Sequence, residues 1–371
     1  MEDMAGMKNI FGGIYRGKKV LVTGHTGFKG SWLTKWLQLL GADVYGISLA
    51  PPSVPNHISL LQLNVSSQEI DIRDLDKLKT AIASIGPEIV FHLAAQALVR
   101  ASYSDPIGTF TTNVIGTVNL FEACRNCDTV KAIVNVTSDK CYENKEWVWG
   151  YRENDPLGGF DPYSASKGCS EIVTASFRNS FFNLKNYGTK HQILLASGRA
   201  GNVIGGGDWA EDRLVPDMVR AAAENVAVMI RSPRSTRPWQ HVLEPLSGYL
   251  TLGWKLLENK PEFADAWNFG PGPESNLSVE ELFIRSKKYW GKLNYSHDGN
   301  NNGLHEAGLL MLDCSKANCL LKWRPVWNLE KTLETTFLWY KKYYEDKELM
   351  TVSDITCYVS DATKQNQVWT I

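Results

Sequence analysis

Short apolar runs without alternation recur through the first two thirds of the chain, and each ends in a polar or glycine-bearing turn. Lys19-Val20-Leu21-Val22-Thr23 and Asp43-Val44-Tyr45-Gly46-Ile47 read as strands, as do Ile89 to Gln96, Val130 to Val136 and His191 to Ser197. Strands apolar on both sides belong in a parallel sheet covered on both faces. Between the first two, Trp32, Leu33, Trp36, Leu37 and Leu40 recur at helical spacing. Asp71-Ile72-Arg73-Asp74 closes a further short strand and begins a helix. Residues 106–126 read as one long helix containing Asn113 and Gly116, and a helix opening at Pro162 runs to about Asn183. Further on, Leu243 to Leu257 reads as a helix, Ala266 to Gly270 as a strand, and Ser278-Val279-Glu280-Glu281 as a capped helix start. Leu310 to Asp313 reads as a short strand, Asn294 to Asn302 as a polar stretch whose Asn-rich end is a surface loop, and Leu329 to Tyr344 as an amphipathic helix. Residues 1–17 have weak periodicity, as a tail or an oligomer contact would. Residues 346–371 look less regular still, and no chemistry is assigned to them.

This alternation predicts an α/β fold: a Rossmann-type, doubly wound parallel sheet with a smaller C-terminal substrate-binding domain. The first strand runs straight into Gly24-His25-Thr26-Gly27-Phe28-Lys29-Gly30 and then a helix. The spacing is G-x-x-G-x-x-G, but the physical task resembles that of the better-known dinucleotide fingerprint. It supplies a tight turn, close backbone approach to a pyrophosphate and a helix N-terminus aimed at its charge. His25 reads as a polar filler within the turn rather than a catalyst. The strand end at Ser48-Leu49-Ala50 lacks the carboxylate that would hold a ribose, which leaves NAD versus NADP open. Asp71, with Ile72, either meets the adenine end of a dinucleotide or caps the next helix. The small residues of Leu93-Ala94-Ala95-Gln96 suit close approach of a cofactor ring or ribose, or simple close packing.

Composition narrows the class without choosing a function. Apolar residues are 43% and charged residues 21% of 371, with a formal net charge of -1. That balance argues against a nucleic-acid footprint or an anionic membrane surface. No apolar run of membrane-spanning length and no basic leader is read, so the expected location is the cytoplasm. Seven cysteines form no secretory framework, and the lone Cys124-x-x-Cys127 lacks the second pair a metal site needs. No metal is expected.

Chemistry enters with Tyr163 and Lys167, four residues apart and so on one helix face. An ammonium beside the phenol is expected to lower its pKa from about 10, making Tyr163 a proton acceptor for an alcohol being oxidised. Upstream, Thr137-Ser138-Asp139-Lys140 emerges where an α/β sheet carries its catalytic loops. Arg231, Arg234 and Arg237 suit the two phosphates of a nucleotide sugar.

With Arg199 to Trp209 added, the ordered set Gly24–Gly30, His92–Gln96, Thr137–Tyr142 and Tyr163 with Lys167 resembles the extended short-chain dehydrogenase/reductases, and among them the nucleotide-sugar 4,6-dehydratases. Ser138-Asp139-Lys140 stands where dTDP-glucose relatives carry Thr-Asp-Glu, which is similar to the subgroup acting on CDP-glucose. Gly27-Phe28-Lys29-Gly30 and Arg237-Pro238-Trp239-Gln240-His241-Val242 are similar to that subgroup too. The resemblance implies NAD as cofactor, met by residues 24–30, Asp71, Ile72, Leu93 to Gln96, Tyr163 and Lys167. It implies that Asn202, Arg213, Arg231, Arg237 and His241 face the substrate. It further implies residues 18–204 as the dinucleotide domain, with about 239–270 returning to it. Residues 205–238 and 271–345 would then hold the nucleotide sugar, flanked by tails at 1–17 and 346–371. Homodimers or homotetramers are implied, joined through the Tyr163 helix. The implied roles are Tyr163 as base at the C4 hydroxyl, Lys167 as its partner and Ser138 at the C4 oxygen. Asp139 would be the acid at the C6 hydroxyl. Lys140 would be either the C5 base or an electrostatic stabiliser. The alternatives are a 4-epimerase or other dehydratase of the superfamily, and a non-catalytic dinucleotide-binding regulatory protein.

Overall fold

Val20 and Val22 point to one side of their strand and Leu21 to the other, and both sides are covered. A computed structural model of the chain describes residues 6–230, 233–297 and 308–371. Val20 and Val22 enter a core with Trp32, Trp36 and Leu250, while Leu21 joins Ile47, Ile82 and Leu120. The strands are β1 (Lys19–Thr23), β2 (Asp43–Ser48), β3 (Ser66–Glu69), β4 (Ile89–His92), β5 (Ala132–Val136), β6 (Leu194–Ala200) and β7 (Ala266–Phe269). They form one seven-stranded sheet in the order β7-β6-β5-β4-β1-β2-β3. Every pairing in it is parallel. Helix α1 (Phe28–Leu39) and the later α6 (Leu243–Leu257) cover one face. Helices α2 (Leu75–Ile85), α3 (Gly116–Arg125) and α4 (Pro162–Ser180) cover the other.

Beyond β6 the chain makes short pairings: Val203–Ile204 with Gln240–His241, Thr236–Pro238 with Asn276–Ser278, and Val228–Ile230 with Tyr295–His297. Helices α5 (Leu214–Ala223), α7 (Val279–Ser286) and α8 (Leu329–Asp346) accompany them. The capping box expected at Ser278 is present, its hydroxyl accepting from the Glu281 amide.

Several elements differ from the sequence reading. The long helix over 106–126 is interrupted. Pro106–Phe110 is helical, Thr111–Ile115 forms a π turn, and α3 resumes at Gly116. Such a bulge redirects one side chain, here Asn113. The fifth and sixth strands begin two and three residues later than read, and β6 continues to Ala200. Leu310 to Asp313 contributes only an isolated bridge, Leu312 with Tyr151. Residues 298–302 of the polar loop lie outside the described residues.

The larger correction concerns the two ends. Residues 346–371 contain α9 (Thr351–Lys364), whose Ile355, Tyr358 and Ala362 are buried. Trp369 has no exposure and stacks on Phe11 at 5.1 Å, and Met7, Ile10 and Tyr15 are buried beside it. The Tyr15 hydroxyl donates to the Leu250 carbonyl at 2.6 Å. The two ends therefore close one face of the α1–α6 layer together. Their burial draws on residues far away in the chain, Phe11 on Trp369 and Tyr15 on Leu250.

Candidate active site

The glycine turn is built from close contacts that no other residue permits. Gly24 has φ +73°, and a Cβ there would lie 2.7 Å from the Ala94 amide nitrogen. A Cβ on Gly30 would lie 2.1 Å from the Gly24 carbonyl oxygen. These contacts seat the N-terminus of α1 against the ends of β1 and β4. No side chain caps that helix, so its first-turn amides face a cavity of about 1120 Å³. The cavity runs over Gly24, Thr26 to Gly30, Asp71, Ile72 and Leu93 to Gln96, then past Ser138, Asp139, Lys140, Tyr163 and Lys167. It continues to Asn202, Arg213 and Arg237.

Tyr163 and Lys167 owe their placement to the start of α4. Asp161 accepts from the Ser164 amide at 2.9 Å, and Pro162 fills the first helical position. Both side chains are buried. The lowered phenol pKa expected of their pairing is not found: burial pushes Tyr163 up to about 12, against the downward pull of a Ser138 hydrogen bond. The Lys167 ammonium turns instead toward the Val136 carbonyl at 3.5 Å, and burial lowers it to about 8, against the upward pull of Glu171. Ser138 donates to Asp139 Oδ1 at 2.9 Å. Burial holds the Asp139 carboxyl above the usual carboxylate range despite Lys140 nearby, which suits a proton donor. Its Oδ2 would be 2.8 Å from a Cβ on Gly201, so Gly201 leaves it room.

Not every sequence-predicted residue reaches the cavity. The His25 ring turns away, donating or accepting with Ser67 Oγ at 2.8 Å and filling the space a Gly46 side chain would need. His241 has no exposure and packs against Trp327 at 4.9 Å and Trp32 at 5.8 Å. Burial lowers it to about 3, so it is a neutral core residue, not a substrate contact. Asp71 caps nothing, since Asp74 caps α2; its carboxylate is held by Arg73, at the cavity wall. Arg231 lies outside the described residues. Arg213 donates to Asp208 at 2.9 Å, and Arg237 to the Thr236 carbonyl at 2.8 Å.

Residues the sequence reading passed over hold the cluster in place. Glu171, one turn beyond Lys167, accepts from Thr137 Oγ1, from Ser197 Oγ at 2.8 Å and from Arg199 Nη2 at 2.8 Å. The pair is almost wholly buried. It ties α4 to β6 and to the end of β5, from which Ser138 and Asp139 emerge. Asn113, presented by the π turn, accepts from the Gln96 amide and donates to the Gln96 carbonyl and to Ser166 Oγ. A Glu one turn past the Lys was the available signal for the first network; nothing in the sequence marked the second.

Comparison with known proteins decides the family. The sequence profile of the NAD dependent epimerase/dehydratase family matches residues 20–262. The chain belongs to that family. A CDP-glucose 4,6-dehydratase of Salmonella typhimurium strain LT2 is 52% identical over 355 residues, covering 94% of this chain and 98% of the relative. A dTDP-glucose 4,6-dehydratase of Haemophilus influenzae is 26% identical over 86% of the chain and 97% of its own length. Among solved structures, a dTDP-glucose 4,6-dehydratase from Streptomyces venezuelae with NAD bound superposes with TM-score 0.72. Its identity is 22%, over 89% of this chain and all of that one. A UDP-glucose 4-epimerase from Thermotoga maritima gives 0.74 at 24% identity, over 88% of this chain and all of that one. These two establish the fold.

NAD is the cofactor of this epimerase/dehydratase family, and the residues present fit it. An uncapped helix of twelve residues faces the cavity from a turn with no room for a side chain at Gly24 or Gly30, which is an anion seat.

Proposed function

We propose that the chain dehydrates CDP-glucose to CDP-4-keto-6-deoxyglucose. The observation that carries this is a buried carboxyl held toward its neutral form beside a Tyr–Lys pair, in a chain half identical to a CDP-glucose 4,6-dehydratase along its length. A 4-epimerase has no use for an acid at that place.

When bound, NAD would supply the acceptor for the C4 hydride and the donor that restores a hydride at C6. In this reading Tyr163 takes the C4 hydroxyl proton, with Ser138 hydrogen-bonded to the same oxygen. The high phenol pKa makes Tyr163 a poor base alone; Arg213 pulls it down, and in this reading the Lys167 charge is also needed to stabilise its anion. Once C4 is a ketone, the C5 hydrogen is acidic. Lys140 serves its removal, either as a neutral amine or by stabilising the enolate oxygen. Asp139, protonated, donates to the leaving C6 hydroxyl, so water departs and leaves a C5=C6 double bond; hydride at C6 and a proton returned to C5 then complete the product.

The cofactor contacts are residues 24, 26–30, 71, 72 and 93–96, and Asn202, Arg213 and Arg237 meet the nucleotide sugar, all on the cavity wall. Residues 18–204 with 239–270 form the dinucleotide domain; 205–238 and 271–345 form the nucleotide-sugar domain. Exposed Ile107, Phe110, Ile115, Ile172 and Phe181, on the helical segment 106–125, on α4 and at its C-terminal cap, supply an apolar face for a homodimer or a pair of dimers. Among the described residues no helix is long and apolar enough to cross a membrane, and all seven cysteines are free. A cytoplasmic enzyme agrees with both.

The test is to incubate purified protein with CDP-, dTDP- and GDP-hexoses and weigh the products. CDP-glucose should give a product lighter by one water. A product of unchanged mass would point to epimerisation.

A further inference from the structure

Lys29 is the second residue of α1, inside the glycine turn, yet its side chain enters the cavity that also holds Asp139, Tyr163 and Lys167. Its ammonium stands 6.0 Å from the ring centre of Tyr249, a residue of α6 with no exposure whose hydroxyl has no partner. No carboxylate lies within ion-pair distance of Lys29 among the described residues. The charged groups in its field are Arg213 from the segment before α5, Lys167 from α4 and Asp139 from the turn after β5. Two cations and one carboxyl raised by burial thus face an unpaired ammonium. Only strong local use would keep such a charge there, since burying it unpaired is costly.

We propose that Lys29 biases the bound cofactor toward its reduced form, because a positive charge at the Tyr163–Lys167 end of the cavity favours the neutral reduced nicotinamide over the cationic oxidised one. This rests on the reading that NAD binds with its nicotinamide at that end. The need is specific to a reaction in which the hydride leaves C4 and returns only after water has gone. Throughout that interval the reduced form must stay favoured over release. Burial, with Arg213 and Lys167 adding to it, lowers Lys29 to about 7, so its charge is present below neutrality and fades above it. Lys167 titrates at about 8 with the same sign, so the comparison has to be made between variants as well as between pH values.

The experiment equilibrates full-length protein with a mixture of NAD and NADH at pH 6 and pH 8, removes free nucleotide rapidly and quantifies what is retained. The parent should prefer NADH more strongly than Lys29→Met by about tenfold at pH 6, the size expected of one charge acting over about 12 Å at an effective dielectric near 20. At pH 8 the two should converge. Lys29→Arg, which cannot lose its proton, should hold the preference at both pH values. An equal loss of both nucleotides in Lys29→Met would make Lys29 a phosphate holder and overturn the proposal, as would an unchanged ratio. A parent that retains neither nucleotide would instead overturn the cofactor reading on which this one rests. If Lys29→Met does not fold, Lys29→Arg decides alone: its preference must exceed the parent's at pH 8, and equality refutes the idea.

Discussion

Replacing Glu171 by Gln keeps the shape of the buried network and removes its charge. Arg199 then keeps a full guanidinium, 4% exposed, with no counter-ion. At 2.8 Å and an effective dielectric near 20, the gross attraction lost is about 6 kcal/mol. Most of it offsets desolvation, and breaking such a pair from one side costs about 3–5 kcal/mol. The amide retains part of the hydrogen bonding to Thr137 and Ser197, so the expected loss is at the low end, about 3 kcal/mol. For 371 residues unfolding entropy is large, and that loss corresponds to a melting point lower by about 4 °C. The Glu171 carboxyl is raised by burial but lowered further by Arg199 and its hydrogen bonds, leaving it below the ordinary carboxylate range. Its contribution is therefore full above that range and lost as pH falls through it. Calorimetry of Glu171→Gln, Arg199→Met and the double variant, with turnover measured on each, supplies the assay. The double variant should lose less than the sum of the singles. Glu171→Gln melting within about 1 °C of the parent, or strict additivity, would refute the claim that this pair holds the Thr137–Asp139 turn.

The other predictions concern the acid, the lysine beside it and the chain ends. Because burial holds Asp139 above the usual carboxylate range, water loss should fall as pH rises through its raised pKa, while C4 oxidation persists; a pH profile of each step in single turnover checks this. Lys140→Met should slow water loss about 10²-fold or more if Lys140 is the C5 base, and Lys140→Arg should not rescue it. Rescue by Arg would assign Lys140 to electrostatic stabilisation. Trp369→Ala should cost about 3–5 kcal/mol in a denaturant titration, because its ring stacks in the core between Phe11 and Tyr358; no change would return residues 346–371 to the status of a tail.

The sequence made the sheet legible because its inner strands are covered on both faces and read as unbroken apolar runs. It also placed Gly24–Gly30, Ser138–Lys140 and Tyr163–Lys167 around one cavity, since local spacing and strand-end position determine all three. What it hid was non-local. His241 looked like a ligand residue until Trp32 and Trp327 closed around it. Phe11 and Trp369 carry no periodic signal, as each completes the core only through the other end of the chain. The π turn at Thr111–Ile115 has no propensity signature, because the Gln96 backbone that Asn113 satisfies belongs to another element. The Tyr163 pKa was misjudged because burial raises the phenol, which helical spacing does not show, and because spacing does not show that the Lys167 ammonium points to the Val136 carbonyl.

In the proposed reaction Tyr163 opens by making a transient ketone at C4, and Asp139 then expels water from C6. Rapid mixing of NAD-loaded enzyme with CDP-glucose, followed at the reduced-nicotinamide absorbance, separates these two acts. The parent should show a rise and a return, Asp139→Asn a rise that persists, and Tyr163→Phe no rise. Traces in which Asp139→Asn and Tyr163→Phe fail alike, or in which the absorbance returns as fast in Asp139→Asn as in the parent, would contradict the account.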